Sequence, residues 1–178
     1  MNLLDYIEKE THGTSDFPLA YYYVDKTHPR YEMPFHWHRE LEISYILSGS
    51  YTFYLNDNVV SAHEGDVVYI ESGTIHGGKP NNCVYECIVF NPYPLLPNIE
   101  SGKQYIQNLI NHDTHIYSHF PAGTQPVCDA TARLMHSSKK HSSKNELEIL
   151  TDLYYWFITI SETESYVRNQ SPPHSKRR

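Results

Sequence analysis

The 178-residue chain is poor in cysteine and lacks any long apolar run, and each absence narrows what it can be. Its three cysteines (Cys83, Cys87 and Cys128) cannot all pair with one another. Cys83 and Cys87 sit four apart on an expected strand, a poor geometry for a disulfide. Free thiols point to a reducing compartment, so the expected location is cytoplasmic. No apolar stretch approaches the roughly 20 residues of a membrane-spanning helix. The opening MNLLDYIEKE also lacks the basic-then-apolar layout of an export signal, so no membrane partner is expected. Basic residues are outnumbered, 14 Lys and Arg against 21 Asp and Glu, and the net charge of −7 argues against direct contact with nucleic acid. No signature of a serine or cysteine nucleophile is present. Gly77-Gly78 after His76 does not mark a strand-to-helix turn, which excludes a phosphate loop. Internal repeats are absent too.

What is present is one ordinary core: 39% of residues are hydrophobic, enough for a single folded domain with a helical appendage. Short runs rich in Tyr, Val, Ile and Phe predict strands at 21–24, 40–47, 51–55, 59–62, 67–70 and 84–90. Turn-forming residues separate them, among them Ser48-Gly49, Asn56-Asp57-Asn58, Glu64-Gly65, Gly77-Gly78 and Pro80-Asn81-Asn82. Strands at this spacing imply an antiparallel barrel or sandwich. Ahead of them, residues 1–19 read as an arm, with a short amphipathic turn carrying Leu3, Leu4 and Ile7.

After Pro92-Tyr93-Pro94 the texture turns helical. Ser101 and Gln104 predict a capping box and a helix to about Asn111, followed by a last strand over His115–His119. Pro126 suits the first turn of a helix that runs to about Ser138. Ser143 and Glu146 then cap a helix over 144–168. From Leu147 to Ile160 that helix is apolar nearly all round, with Leu147, Ile149, Leu153, Tyr154, Tyr155, Trp156, Phe157 and Ile158. A helix apolar on two sides is covered on two sides, so a homodimer through 144–168 is expected. The divisions that follow are arm 1–19, barrel 20–120, helical dimerisation element 121–168 and a linker tail 169–178 with a basic finish at Lys176-Arg177-Arg178.

The chemistry concentrates in His36-Trp37-His38-Arg39-Glu40-Leu41-Glu42 and in the later Gly65…Gly73…His76. The first segment alternates like a strand, so His36, His38 and Glu42 share a face, with Glu40 in the same parity and Trp37 pointing away. With His76 from a later strand, His36, His38 and Glu42 form a candidate site for one divalent metal, Zn, Ni, Fe, Mn or Cu, and spacing does not choose among them. Glu40 is expected to orient a ligand or a histidine. Equally open is a wet pocket in which these groups hydrogen-bond a bound molecule and no metal. Sixteen tyrosines, among them Tyr22, Tyr45, Tyr54, Tyr69 and Tyr85, add flat faces with hydroxyls of the kind that sugar pockets use. By parity Tyr45 faces away from the site. His112, His115, His119, His136 and His141 have no carboxylate or cysteine at matching sequence spacing and are assigned to the surface.

His36, His38, Glu42 and Gly49 resemble the first motif of the cupins. Gly65, Gly73 and His76 resemble the second, with Glu71 standing where that family usually has proline. The wording HWHRELEISYILSG…GDVVYIESGTIHG further resembles the N-terminal effector-binding domain of AraC-type transcription regulators. That resemblance implies a mainly β fold with C-terminal helices: a cupin barrel (double-stranded β-helix, or jelly-roll) followed by a helical dimerisation element. It also implies a ligand-sensing role, with a small polar effector such as a sugar in a lumen lined by His36, His38, Glu40, Glu42 and His76. DNA would be reached only through a C-terminal domain that begins beyond Arg178, and the arm would fold over the lumen as a lid. The second reading is a stand-alone metal-dependent cupin enzyme, a dioxygenase or sugar isomerase, since all the cupin ligand types are intact. The sensor reading expects no enzymatic activity.

Overall fold

The structure, a computed structural model, describes residues 6–96 and 100–169. In chain order its elements are β1 (Leu19–Val24), β2 (Met33–His36), β3 (Leu41–Leu55), β4 (Asn58–His63), β5 (Val67–Ile70), β6 (His76–Phe90), α1 (Pro92–Leu95), α2 (Glu100–Ile110), β7 (Thr114–Ile116), β8 (His119–Phe120), α3 (Gln125–Ser138), α4 (Glu146–Glu162) and β9 (Tyr166–Arg168). The predicted segment around Leu3 and Leu4 and the tail beyond Asn169 lie outside the described residues.

Two 15-residue strands, β3 and β6, pair antiparallel from end to end and carry the remaining strands on their edges. One end holds β1 on β6 and β5 on β3; the other holds β2 on β6 and β4 on β3, while β8 extends the sheet from β5. Side-chain alternation then divides the apolar residues between two cores. Leu41, Ile43, Ile88 and Phe90 face the helices, in a cluster with Leu134, Leu153, Trp156 and Ile160. Ile46, Tyr51, Phe53, Tyr85 and Cys87 face the barrel interior with Val24, Val68 and Ile70.

Ile46 and Tyr51 point the same way although an odd number of positions separates them, because the β3–β6 register shifts twice between Ile46 and Ser50. Ser48-Gly49 and Pro80-Asn81-Asn82, predicted as turns, are the facing halves of this irregularity. The two strands bend there and do not reverse. Gly49 sits at φ +72°, and a Cβ on it would lie 2.2 Å from the Asn82 carbonyl oxygen. Only glycine fits a left-handed position that close to the opposite backbone. Gly77-Gly78 likewise lies within β6, with Gly78 pressed against the Tyr51 ring.

The helical layer departs from expectation at its ends. Ser101 and Gln104 lie inside α2, where Gln104 bonds Asn108 at 2.8 Å, so they form no capping box. The N-cap of α4 is Asn145, not Ser143; its amide accepts from the Ser142 N–H and donates to the Ser137 carbonyl, which closes the α3–α4 link. The helix expected over 144–168 stops at Glu162. Glu164 takes φ +50°, the Ser165 N–H bonds the Ile160 carbonyl, and the chain turns into β9. The single strand expected at His115–His119 is two: β7 pairs with β9, and β8 pairs with β5. A buried Glu86 fastens the layers, accepting from Tyr21 Oη at 2.7 Å and pairing with Lys139 Nζ at 2.6 Å.

Candidate functional site

His36 ends β2, His38 lies in the connection to β3, Glu42 is on β3 and His76 opens β6. The strand-like alternation read over 36–42 is interrupted at 37–40, and the strand expected from Glu40 starts at Leu41, yet all four side chains are buried together. The arm pairs with the chain at this interruption: Ile7 bridges Trp37 in parallel, with Trp37 N–H on the Tyr6 carbonyl and Glu8 N–H on the Trp37 carbonyl. Trp37 is thereby half-buried beside the arm.

The ring nitrogens of His36, His38 and His76 available for a ligand lie within 4.8 Å of one another. Each imidazole has its Nδ1 on a backbone carbonyl: His36 on Pro34 at 2.9 Å, His38 on Glu40 at 3.2 Å, His76 on Thr74 at 2.8 Å. A carbonyl only accepts, so each Nδ1 carries a proton and each ring turns its Nε2 into the site. Glu42 Oε2 stands 3.5 Å from His38 Nε2 and 3.6 Å from His76 Nε2, and those two nitrogens are buried without a hydrogen-bond partner among the described residues. Burial opposes charge on Glu42, but His38 and His76 hold its carboxyl well below the ordinary carboxylate range. Burial, and then the neighbouring His76, push the His36 imidazole down to about 4. Three imidazole nitrogens converge within 4.8 Å of one another, with the Glu42 carboxylate beside two of them, and such a group is satisfied by a cation, a ligand or water. The donor set therefore fits a divalent metal, with backbone carbonyls orienting each ring.

Glu40 contributes differently from expectation. Its backbone carbonyl orients His38, while its carboxylate stays 3.9 Å from that ring and outside the pocket wall. The pocket beside the quartet encloses about 240 Å³, walled by His36, His38, Glu42, Tyr85 and Cys87 from the barrel. Sequence reasoning missed its other wall, formed by Glu8 and His12 of the arm and Arg30 of the β1–β2 connection. Glu8 is an anchor there: its carboxylate pairs with Arg30, lies 3.2 Å from His12 Nε2 and 3.5 Å from His36 Nε2. Burial works against its charge, yet His12 and Arg30 hold Glu8 at about 2, and Glu8 in turn raises the His12 imidazole despite burial. Nothing in local spacing points to these residues: the pairing of the arm with Trp37 brings in Glu8 and His12, and the β1–β2 connection brings in Arg30.

The family of AraC-like ligand binding domains matches residues 18–157, a span that holds the sheet, the quartet and most of α4. The chain belongs to this family. Its barrel is of the cupin type, with helices following on the C-terminal side, and the family is one of ligand binding domains. A curated relative is an uncharacterized HTH-type transcriptional regulator of Bacillus subtilis, 28% identical over 155 residues, which cover 82% of this chain and 52% of the relative. The AraC-type chain thus spans about half the length of that regulator. Among solved structures, an RmlC-like cupin with a double-stranded β-helix fold from Methanocaldococcus jannaschii is 20% identical, with TM-score 0.36, covering 46% of this chain and 74% of its own. A mutant oxalate decarboxylase of Bacillus subtilis is 21% identical, with TM-score 0.31, covering 42% of this chain and 27% of its own.

In this AraC-type domain the remaining histidines are not all isolated. Glu71, distant in sequence, lies 3.4 Å from His112 Nδ1 and 3.0 Å from His115 Nδ1, which corrects the expectation that no carboxylate accompanies them. The Asn169 amide nitrogen donates to the His112 carbonyl and contacts His115 Nε2 at 3.2 Å, so this half-exposed group ties β9 to the end of β5. His119 bonds Asp66 at 2.9 Å, and Asp66 also accepts from the Ala122 N–H, which holds β8 against the β4–β5 turn. Tyr45 packs against the helix-side cluster. No helix among the described residues is long and apolar enough to cross a membrane.

Proposed function

We propose that this domain binds a small polar effector of the sugar class in the barrel lumen, with His36, His38 and Glu42 in the pocket wall and His76 and Glu40 behind them. The observation that carries the reading is the pocket between the barrel strands and the arm, in which His36, His38, Glu42, Glu8 and Arg30 converge on a largely apolar wall. Its 240 Å³ falls below the roughly 300–1,000 Å³ of pockets that hold drug-sized ligands, which favours a compact metabolite. Tyr22, Tyr85 and the imidazoles supply flat faces and hydrogen-bonding edges for hydroxyl groups. A divalent metal on His36, His38, Glu42 and His76 would supply a further polar anchor for such a ligand. The effector acts on the arm, and through it on a DNA-binding domain carried elsewhere in the regulator.

The test is thermal unfolding of the protein with a panel of monosaccharides and their acids. A true effector is expected to raise the midpoint with its concentration, by about 2.7 kcal/mol of stability at a hundredfold excess over Kd. His36→Ala is expected to remove that response. A response that survives His36→Ala would place the binding site elsewhere and defeat the reading. A second reading, a metal-dependent cupin enzyme, draws on the intact quartet; turnover of a sugar or organic acid that stops with a chelator would establish it in place of the sensor.

We further propose that a second copy covers the outer face of α4. Leu147, Thr151, Tyr154, Tyr155 and Ile158 recur at helical spacing along one exposed stripe, opposite the buried Ile149, Leu153, Trp156 and Ile160. Beside it a groove of about 320 Å³ runs between α2 and α4, lined by Leu96, Tyr105, Ile106, Phe157 and Ile158. Ile158 is 51% exposed, so Ile158→Glu is expected to leave folding intact and to weaken the dimer by at least about 2 kcal/mol, the scale of an interface hot spot. Sedimentation velocity across a dilution series reads this directly, and an unchanged dimer would rule out this face.

A further inference from the structure

The arm does more than cover the lumen, because it places a carboxylate inside it. Glu8 is 6% exposed and pairs with Arg30, which is itself two-thirds covered with 33% of its side chain accessible. The other acids nearby do not share this task. Glu42 is engaged with His38 and His76, and Glu10 reaches Arg30 only at 3.5 Å from an exposed position. With Glu8 withdrawn, the pocket mouth would present the Arg30 guanidinium and His12, with Glu42 engaged by His38 and His76 deeper in and Glu10 at the exposed rim. A half-buried guanidinium left without its partner is costly, so the arm leaves readily only when another anion takes its place. Arg30 presents a planar fork matched to a carboxylate, and the lumen deeper in presents Tyr and imidazole edges suited to hydroxyls.

We infer that Glu8 holds the place of a carboxylate on the effector, and that the effector is a small polyhydroxylated acid, a sugar acid in place of a neutral sugar. This rests on the lumen reading above and names the class of ligand for that same pocket. Arm and effector then compete for one cation. Binding of the acid displaces Glu8, breaks the anchor that holds Ile7 against Trp37, and so converts occupancy of the lumen into release of the arm. A neutral sugar has no group to exchange for Glu8 and leaves the arm where it is.

Isothermal titration of the full chain with D-gluconate and D-galacturonate, against D-glucose and D-galactose, tests this together with Glu8→Gln and Arg30→Gln. The acids are expected to bind the unaltered protein at least about tenfold more tightly than the neutral sugars, and Glu8→Gln is expected to tighten the acids by about another tenfold by removing the internal competitor. Arg30→Gln is expected to weaken the acids by at least about tenfold and to leave the neutral sugars unchanged. Tryptic cleavage after Lys9 is expected to rise when an acid is bound. Neutral sugars that bind as tightly as acids, with no effect of Glu8→Gln, would overturn the inference and leave the lumen reading standing. Failure of both acids and neutral sugars to bind the protein or Glu8→Gln would overturn both.

Discussion

Trp156→Ala is expected to lower stability by about 3–5 kcal/mol, the cost of emptying a large aromatic site in a packed core. Trp156 is fully buried at 0% exposure and stands where the barrel meets its helices. Its ring lies 5.7 Å from Tyr69 on β5 and 5.2 Å, edge-on, from Phe157. Its Nε1 donates to Thr131 Oγ1 at 2.8 Å, and that hydroxyl donates onward to the Val127 carbonyl within α3. One residue thus joins β5, α3 and α4, and truncation removes the contacts of all three at once. Trp156→Phe keeps most of the volume and loses the hydrogen bond, so its cost is expected nearer about 1–2 kcal/mol. Urea unfolding followed by circular dichroism gives both values. A Trp156→Ala protein within about 1 kcal/mol of the parent would show that the helical layer is not anchored through this residue.

The loss has a functional side. The outer stripe of α4, with Leu147, Tyr155 and Ile158, is held in place by the inner stripe that Trp156 anchors. Softening the inner contact therefore lets the outer face move relative to the barrel, which would couple stability of the core to the proposed pairing with a second copy. The closeness of these two stripes is why the α4 sequence reads as apolar nearly all round.

The strands and the metal-type quartet were legible because they rest on local patterns. Val67–Ile70 is apolar at every position and bounded by Asp66 and Glu71, and the observed strand has those limits. His36, Glu42 and His76 lie on strands and His38 in the connection between β2 and β3, and all four are buried as the alternation of the segment suggested. What was illegible depends on contacts between distant segments. Ser48-Gly49 and Asn81-Asn82 have the composition of turns, and only the pairing of β3 with β6 makes them bulges. Glu8, His12 and Arg30 belong to segments with no periodicity of their own, and the Ile7–Trp37 bridge brings the arm to the pocket. The C-terminal limit of α4 failed for a related reason. Thr163-Glu164-Ser165 is not a strong stop signal, but Tyr166–Arg168 gains a partner strand in Thr114–Ile116 and leaves the helix for it.

His76→Ala is expected to weaken binding of one equivalent of a divalent metal by at least about 100-fold, the upper range for disturbing even a supporting residue of a metal site. The reasoning starts from Nε2 of His76, which is buried at 0% exposure, has its Nδ1 committed to Thr74, and finds no hydrogen-bond partner among the described residues. Such a nitrogen destabilises the fold unless a cation, a ligand or a water satisfies it. The measurement is titration of chelator-stripped protein with Zn²⁺, Ni²⁺ and Mn²⁺, with elemental analysis of the protein as purified. His115→Ala, which alters only the half-exposed cluster at Glu71, is expected to bind metal at this quartet as the parent does. Stability supplies an independent reading. If the quartet holds metal, the parent gains stability on metal addition and His76→Leu does not. If the lumen works without metal, His76→Leu replaces an unsatisfied buried polar group by an apolar one and is expected to be neutral or stabilising. The sign of that single change, compared with and without metal, separates a metal-anchored effector pocket from one in which the imidazoles meet the ligand directly.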